Sequence, residues 1–203
     1  AWGLGLGAWG LGLGAWGFDD WLKPTSSCVG GQPRRRFGGM TATMNPLAAR
    51  LTSAWLRLRA VPGGRWLFRR LLARTVPYTG TIDPEILDME PGRARVALIE
   101  RRRLRNHFRS VHAIALANLG ELASGLAMTL ALPADVRGIP IRIEIDYLKK
   151  ARGRIVAEGR AMPPAAVREP TDATATAELV DEAGDAVARL VVRWRLSPLE
   201  PTP

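Results

Sequence analysis

The sequence predicts an α+β fold, with a short helical segment ahead of one long central helix wrapped by an antiparallel sheet. Three observations carry that expectation. A proline-free, Ala- and Leu-rich run extends from Ser110 to about Leu132 and stops at Pro133, the pattern of a long helix. Strand-like runs flank it on both sides, and the run from Ile139 to Tyr147 alternates apolar with charged residues. Turn-rich segments such as Pro91-Gly92 and residues 181–185 join neighbouring runs, so those runs should pair as hairpins.

Taken in order, the chain opens on AWGLGLG, AWGLGLG, AWG, a seven-residue repeat over residues 1–17 with Gly at almost every second position. Glycine at that density opposes both helix and strand. The repeat carries no charge, yet its glycines interrupt the roughly 20 apolar residues a membrane span needs, and no basic stretch precedes it as in a secretory signal. Residues 1–39 are therefore expected to be a low-complexity disordered tail outside the working protein, with Met40 or Met44 as a natural start.

From Asn45 the pattern turns helical. Asn45 can cap, Pro46 suits the first turn, and Leu47, Leu51, Ala54, Trp55 and Leu58 recur at helical spacing. Val61-Pro62-Gly63-Gly64 breaks this helix before a basic segment with Trp66, Leu67, Arg69, Arg70, Leu71 and Arg74. Residues 45–76 thus form a helical segment. It reads either as a pair of helices packing on the main domain or as a basic amphipathic surface touching anionic lipid; the apolar face is no wider than packing requires.

The main domain should span residues 78–198. Ile82 to Met89 and Arg93 to Glu100 form a first hairpin, and Ser110 can cap the long helix. Small residues occur all round that helix (Ala113, Ala117, Gly120, Ala123, Gly125), so most of its sides should be buried. Ile139 to Tyr147 reads as a half-buried strand, Arg154 to Ala161 as another, and Thr174 to Val180 with Ala186 to Leu196 as a second hairpin.

Composition bounds the function. The 203 residues suffice for one ordinary domain, and 47% hydrophobic with 24% charged residues is globular. Cys28 stands alone, which excludes an intramolecular disulfide and a cysteine-built zinc site and fits the cytoplasm. A net charge of +10 admits a polyanion, an anionic membrane surface or an anionic cofactor such as coenzyme A. Lysine occurs only at Lys23, Lys149 and Lys150; the arginine excess reads as a general bias as much as selection for phosphate contacts, and without a recognition motif no nucleic-acid partner is expected.

The chemistry should lie in residues 106–121, NHFRSVHAIALANLGE, where polar groups interrupt an apolar helix. His112 and Glu121 are nine residues apart, which at about 100° per residue places them on opposite sides of it. If both act on one substrate, the site lies between two chains. Glu121 could instead pair with an arginine across a dimer interface, His112 could be a helix cap or core histidine, and Asn106 could cap the turn. Asn118 could bond a dimer mate, and His107, Glu144 and Asp146 read as solvated. The run from Arg101 to Arg105 reads as a solvated edge or as a phosphate contact.

This segment resembles the hotdog-fold acyl-CoA thioesterases of the phenylacetate-pathway type. Their motif has Asn, Gly three residues later, then Val-His-Gly-Gly, then Asp or Glu nine residues after the His. Asn106, Val111, His112 and Glu121 occupy the matching positions, while Arg109 replaces the first Gly and Ala113-Ile114 the Gly pair. The resemblance implies a branch of that superfamily without an assigned role, with Glu121 as base or nucleophile and His112 or Asn106 placing substrate or water. Arg109, Ala113, Ile114 and Asn118 would line the pocket. It implies acyl-CoA or another acyl thioester as substrate, a homodimer or homotetramer, and no cofactor or metal. The alternative is a hotdog protein that binds an acyl thioester without turnover, its oxyanion glycines being lost.

Overall fold

The computed structural model describes residues 45–199; the repeat and the rest of residues 1–39 lie outside them. Helix α1 spans Pro46–Arg59, α2 Gly64–Thr75 and the short α3 Pro77–Gly80. Strands β1 (Glu85–Glu90) and β2 (Arg93–Ile99) follow. After a 3-10 turn at Arg102–Leu104 comes α4, Ala113–Ala131, then β3 (Val136–Tyr147), β4 (Arg154–Ala161), β5 (Thr171–Val180) and β6 (Ala186–Pro198).

The helical segment forms as its signals require. Asn45 Oδ1 accepts the Leu47 N–H at 2.9 Å, and the break falls at Gly63, whose φ is +75°. Trp55 of α1 and Phe68 of α2 meet edge to face with ring centroids 5.3 Å apart. Both are buried in the same core as α4, so the inner side of this segment packs on the domain.

One antiparallel sheet runs in the order β1-β2-β4-β5-β6-β3. The first hairpin turns through Gly92 at φ +83°, and the second closes through Asp181, whose Oδ1 accepts the N–H groups of Ala183 and Asp185. Strand β1 begins at Glu85 rather than Ile82. Ile82 belongs to the turn after α3, its N–H bonding the Thr79 carbonyl, and Asp83 with φ 52° redirects the chain.

The sheet curls round α4, from which Leu119, Ala123, Ala127 and Met128 are fully buried. Contact is closest at Gly159 of β4, where an added Cβ would stand 2.2 Å from the Ala123 carbonyl, so only glycine lets helix and sheet meet there.

Two further expectations are corrected. Ser110 does not cap α4; its N–H and hydroxyl are both turned onto Asn106, and the cap is His112, whose Nδ1 accepts the Ile114 N–H at 3.1 Å. Strand β3 is not half-buried within one chain. A bulge between Pro140 and Arg142 leaves Ile143, Ile145 and Tyr147 opposite the buried Val192, Leu190 and Ala188 of β6. Yet Ile143 remains 47% exposed and Tyr147 46%, because β3 is the last strand of the sheet.

Candidate active site

The entry to α4 is a tight loop organised by one amide. Asn106 Oδ1 accepts three hydrogen bonds, from Phe108 N–H (3.0 Å), Ser110 N–H (3.2 Å) and Ser110 Oγ (3.1 Å). Its backbone N–H bonds the Ser110 carbonyl and its carbonyl accepts from Arg109. Arg109 sits at φ 55°, the left-handed conformation that glycine adopts freely and other residues adopt at a cost. The residue in the resembling motif's glycine position therefore keeps the glycine backbone while carrying a guanidinium.

His112 leaves this loop with its N–H on the Leu104 carbonyl (2.7 Å) and starts the helix. Because Nδ1 accepts from Ile114, the neutral ring carries its proton on Nε2. That cap occupies the N–H of Ile114, whose side chain stands exposed. Among the described residues no acceptor meets the N–H of Ala113, while the Ala113 carbonyl takes a 3.0 Å bond from Tyr147 Oη of β3. An unpaired first-turn N–H at the positive end of a helix suits a developing oxyanion.

His112, Ile114 and Asn118 line a hollow of about 170 Å³ together with Tyr78, Arg103 and Arg105. Asn118 is buried and donates to the Tyr78 carbonyl at 3.4 Å. The arginines beside this hollow are mostly paired: Arg101 and Arg103 reach Asp83, and Arg105 holds Glu100 at 2.6 Å. A larger hollow of about 480 Å³ lies on the outer face of the sheet, among Arg95, Glu158, Arg160, Glu178 and Arg189. Its carboxylates are neutralised by arginines, and it is separated from α4 by the sheet.

Glu121 occupies a different stripe of α4. Ala113, Ala117, Glu121, Gly125 and Thr129, four residues apart, form a partly covered stripe along a helix otherwise buried except at Ile114 and Ala131. The stripe looks toward the end of the sheet at β6 and β3. Glu121 Oε1 lies 3.5 Å, and Trp194 Cζ2 3.8 Å, from the point a Cβ on Gly125 would occupy. Burial pushes the Glu121 carboxyl above the ordinary range and is the sole cause of that shift. Close by, Trp194 Nε1 is buried with no hydrogen-bond partner among the described residues, a donor without an acceptor beside a carboxylate that burial has left uncompensated.

One chain therefore brings Asn106, Arg109, His112, Ala113, Ile114 and Asn118 to the start of α4 and leaves Glu121 over two turns further on, on the side of the helix opposite His112. Trp194 and Tyr147 were not singled out by sequence reasoning. Both lie at alternating strand positions where an aromatic reads as core; the signal that could have found them is the polar tip of each ring, which needs a partner when covered.

A long helix wrapped by a strongly curled antiparallel sheet defines the hotdog fold. Within it, the chain belongs to the family described as domain of unknown function DUF4442, which matches residues 64–196. The chain is similar to the solved structure described as genomics APC5556, with 26% identity, a TM-score of 0.64, and 73% of this chain and 97% of that one covered. It shares the fold of PA5026 from Pseudomonas aeruginosa, described as a "Probable Thioesterase", at 22% identity and TM-score 0.58, with 68% and 97% covered. The phenylacetic acid degradation protein PaaI of Thermus thermophilus shares the fold at 23% identity and TM-score 0.51, covering 59% and 97%. No curated protein matches the sequence.

Proposed function

We propose that the protein is a cytoplasmic thioesterase that hydrolyses an acyl-CoA or a related acyl thioester at a site completed by a second copy of the chain. The single observation that carries this reading is Glu121: a carboxylate on the central helix, its pKa raised by burial, facing the end of the sheet where β3 leaves apolar side chains bare. Pairing β3 with its counterpart in a second copy would cover Ile143 and Tyr147 and set Glu121 of one chain against the α4 N-terminus of the other. Proteins of this fold described as thioesterases support the substrate class.

In this reading the Ala113 N–H and the α4 dipole polarise the thioester carbonyl. Glu121 takes a proton from water as the oxygen adds to the carbonyl carbon, and collapse of the adduct expels the thiolate, which recovers that proton. Asn106 acts by holding the loop, and His112 by presenting Nε2–H to the substrate or water. A base with a raised pKa implies a rate that climbs with pH through the Glu121 titration, since only the carboxylate accepts the proton.

A second reading has its own observation. Ala113-Ile114 and Arg109 stand where glycines would let backbone N–H groups approach the thioester, and the Ile114 N–H is spent on the His112 cap. Such a protein would bind an acyl thioester without cleaving it.

The two readings separate on one assay. Thiol release from short, medium, long and aromatic acyl-CoAs is followed for the full chain and for Glu121→Ala. Turnover that falls by about 10²-fold or more in the variant supports the hydrolase; a folded dimer that binds acyl-CoA but releases no thiol establishes the binding protein instead.

A further inference from the structure

Residues 45–80 hold seven arginines and no acidic residue. Among the described residues, Arg59 and Arg69 are tied to Asp88 and Asp83, whereas Arg50, Arg57, Arg65, Arg70 and Arg74 have no carboxylate in reach. The inner side of α1 and α2 is spent on the core through Trp55, Phe68 and Leu72. The outer side should then be polar throughout, and it is not. Trp66 is 56% exposed, and Leu67 and Leu71 are about half exposed. At about 100° per residue, Trp66, Arg70, Arg74, Leu67 and Leu71 occupy one arc of α2 directed away from the core. Leu56 at the end of α1, Val61 in the connecting turn and Tyr78 on α3 are likewise exposed.

A helix that is apolar on both sides, with arginines between, has a second surface to bury. Charge selects what buries it. A second copy of the same all-basic face would be repelled, and a nucleic acid would use the arginines but leave Trp66, Leu67 and Leu71 in water. An anionic lipid surface uses both: cations pair with headgroups while Trp and Leu enter the interface, and Arg70 stacked on Trp66 at 5.6 Å is already arranged for that boundary.

We infer that α2, with the adjoining ends of α1 and α3, is a docking surface for anionic lipid bilayers, which makes the protein peripheral to a membrane. The docked segment adjoins the candidate site, because Tyr78 of α3 also lines the hollow with His112 and Asn118. This inference stands independently of the hydrolase reading.

The test is co-sedimentation of the full chain with phosphatidylcholine vesicles lacking or containing phosphatidylserine. Binding should require phosphatidylserine, weaken as salt is raised, and fall about fivefold for each of Arg70→Ala and Arg74→Ala. Trp66→Ala should weaken it several-fold at unchanged charge, and Glu121→Gln should leave it intact whatever its effect on hydrolysis. These positions are exposed, so circular dichroism of each variant should match the parent. Failure to sediment with either vesicle at low salt overturns the inference, as does binding indifferent to phosphatidylserine. Salt-sensitive binding to a DNA duplex that Trp66→Ala leaves unchanged, with no vesicle binding, would assign the arginines to nucleic acid instead.

Discussion

Strands β6 and β3 lie side by side, paired from Val136↔Pro198 to Tyr147↔Ala188, and both alternate apolar with polar residues. In β6 the alternation is satisfied: Ala188, Leu190, Val192, Trp194 and Leu196 are buried against α4. In β3, Ile143 and Tyr147, across from Val192 and Ala188, remain half in water, and Ile145 between them is only partly covered. The two strands differ in position rather than in pattern, since β6 has a neighbour on each side and β3 has one. This apolar face, which its own chain does not cover, lies next to the largely buried Glu121 and is where the proposed second copy would pack.

The sealed side can be broken most severely. Gly159→Ala would drive a Cβ into the Ala123 backbone and should lower the unfolding free energy by about 3 kcal/mol in urea titration; parent-like stability would mean α4 does not seat there. On the open side, Ile143→Asp should leave the chain folded but weaken self-association by about 2 kcal/mol or more, read by sedimentation equilibrium. A parent that is already monomeric would remove β3 from consideration as an interface.

Glu121 sharpens the comparison through pH. Its raised pKa means the folded protein keeps this proton to higher pH than the unfolded chain, whose Glu titrates near 4.5. Stability contributed by the group is therefore fully present below that value and is lost as pH rises through the folded pKa. Glu121→Gln should unfold like the parent at low pH and be the more stable protein above the raised pKa; parallel profiles would contradict a buried, uncompensated carboxylate. The smallest effect is expected at Arg109→Gly. Release of the left-handed strain, partly offset by the freer unfolded chain, should stabilise by about 0.5 kcal/mol, measurable by thermal unfolding.

How much of this was legible depends on how local the determinant is. The Asn45 cap, the Gly92 turn and the extent of α4 follow from residues within a few positions of one another, and the sequence predicts them well. The choice of His112 over Ser110 as cap depends on Asn106 capturing Ser110 from four residues away, a competition between two acceptable caps that spacing does not decide. The bare inner face of β3 was hidden because alternation reports an apolar face, not whether its own chain covers it. In the site, the separation of His112 from Glu121 follows from helix geometry alone, while Trp194 became visible only when the sheet folded its ring beside Gly125 with its N–H unpartnered. Likewise, the packed half of the helical segment was readable from Trp55 and Leu58, but the exposed arc of α2 emerged only once Phe68 and Leu72 had claimed the core.

The three bonds gathered by Asn106 Oδ1 have a consequence for how this pocket can change. Because one amide braces the turn on both sides of residue 109, a side chain is held there in the left-handed conformation at a cost the loop absorbs. The turn acts as a fixed socket: if the helix entrance takes an acyl thioester as proposed, variation at 109, 113 and 114 would alter what fits there while the turn that supports it stays the same.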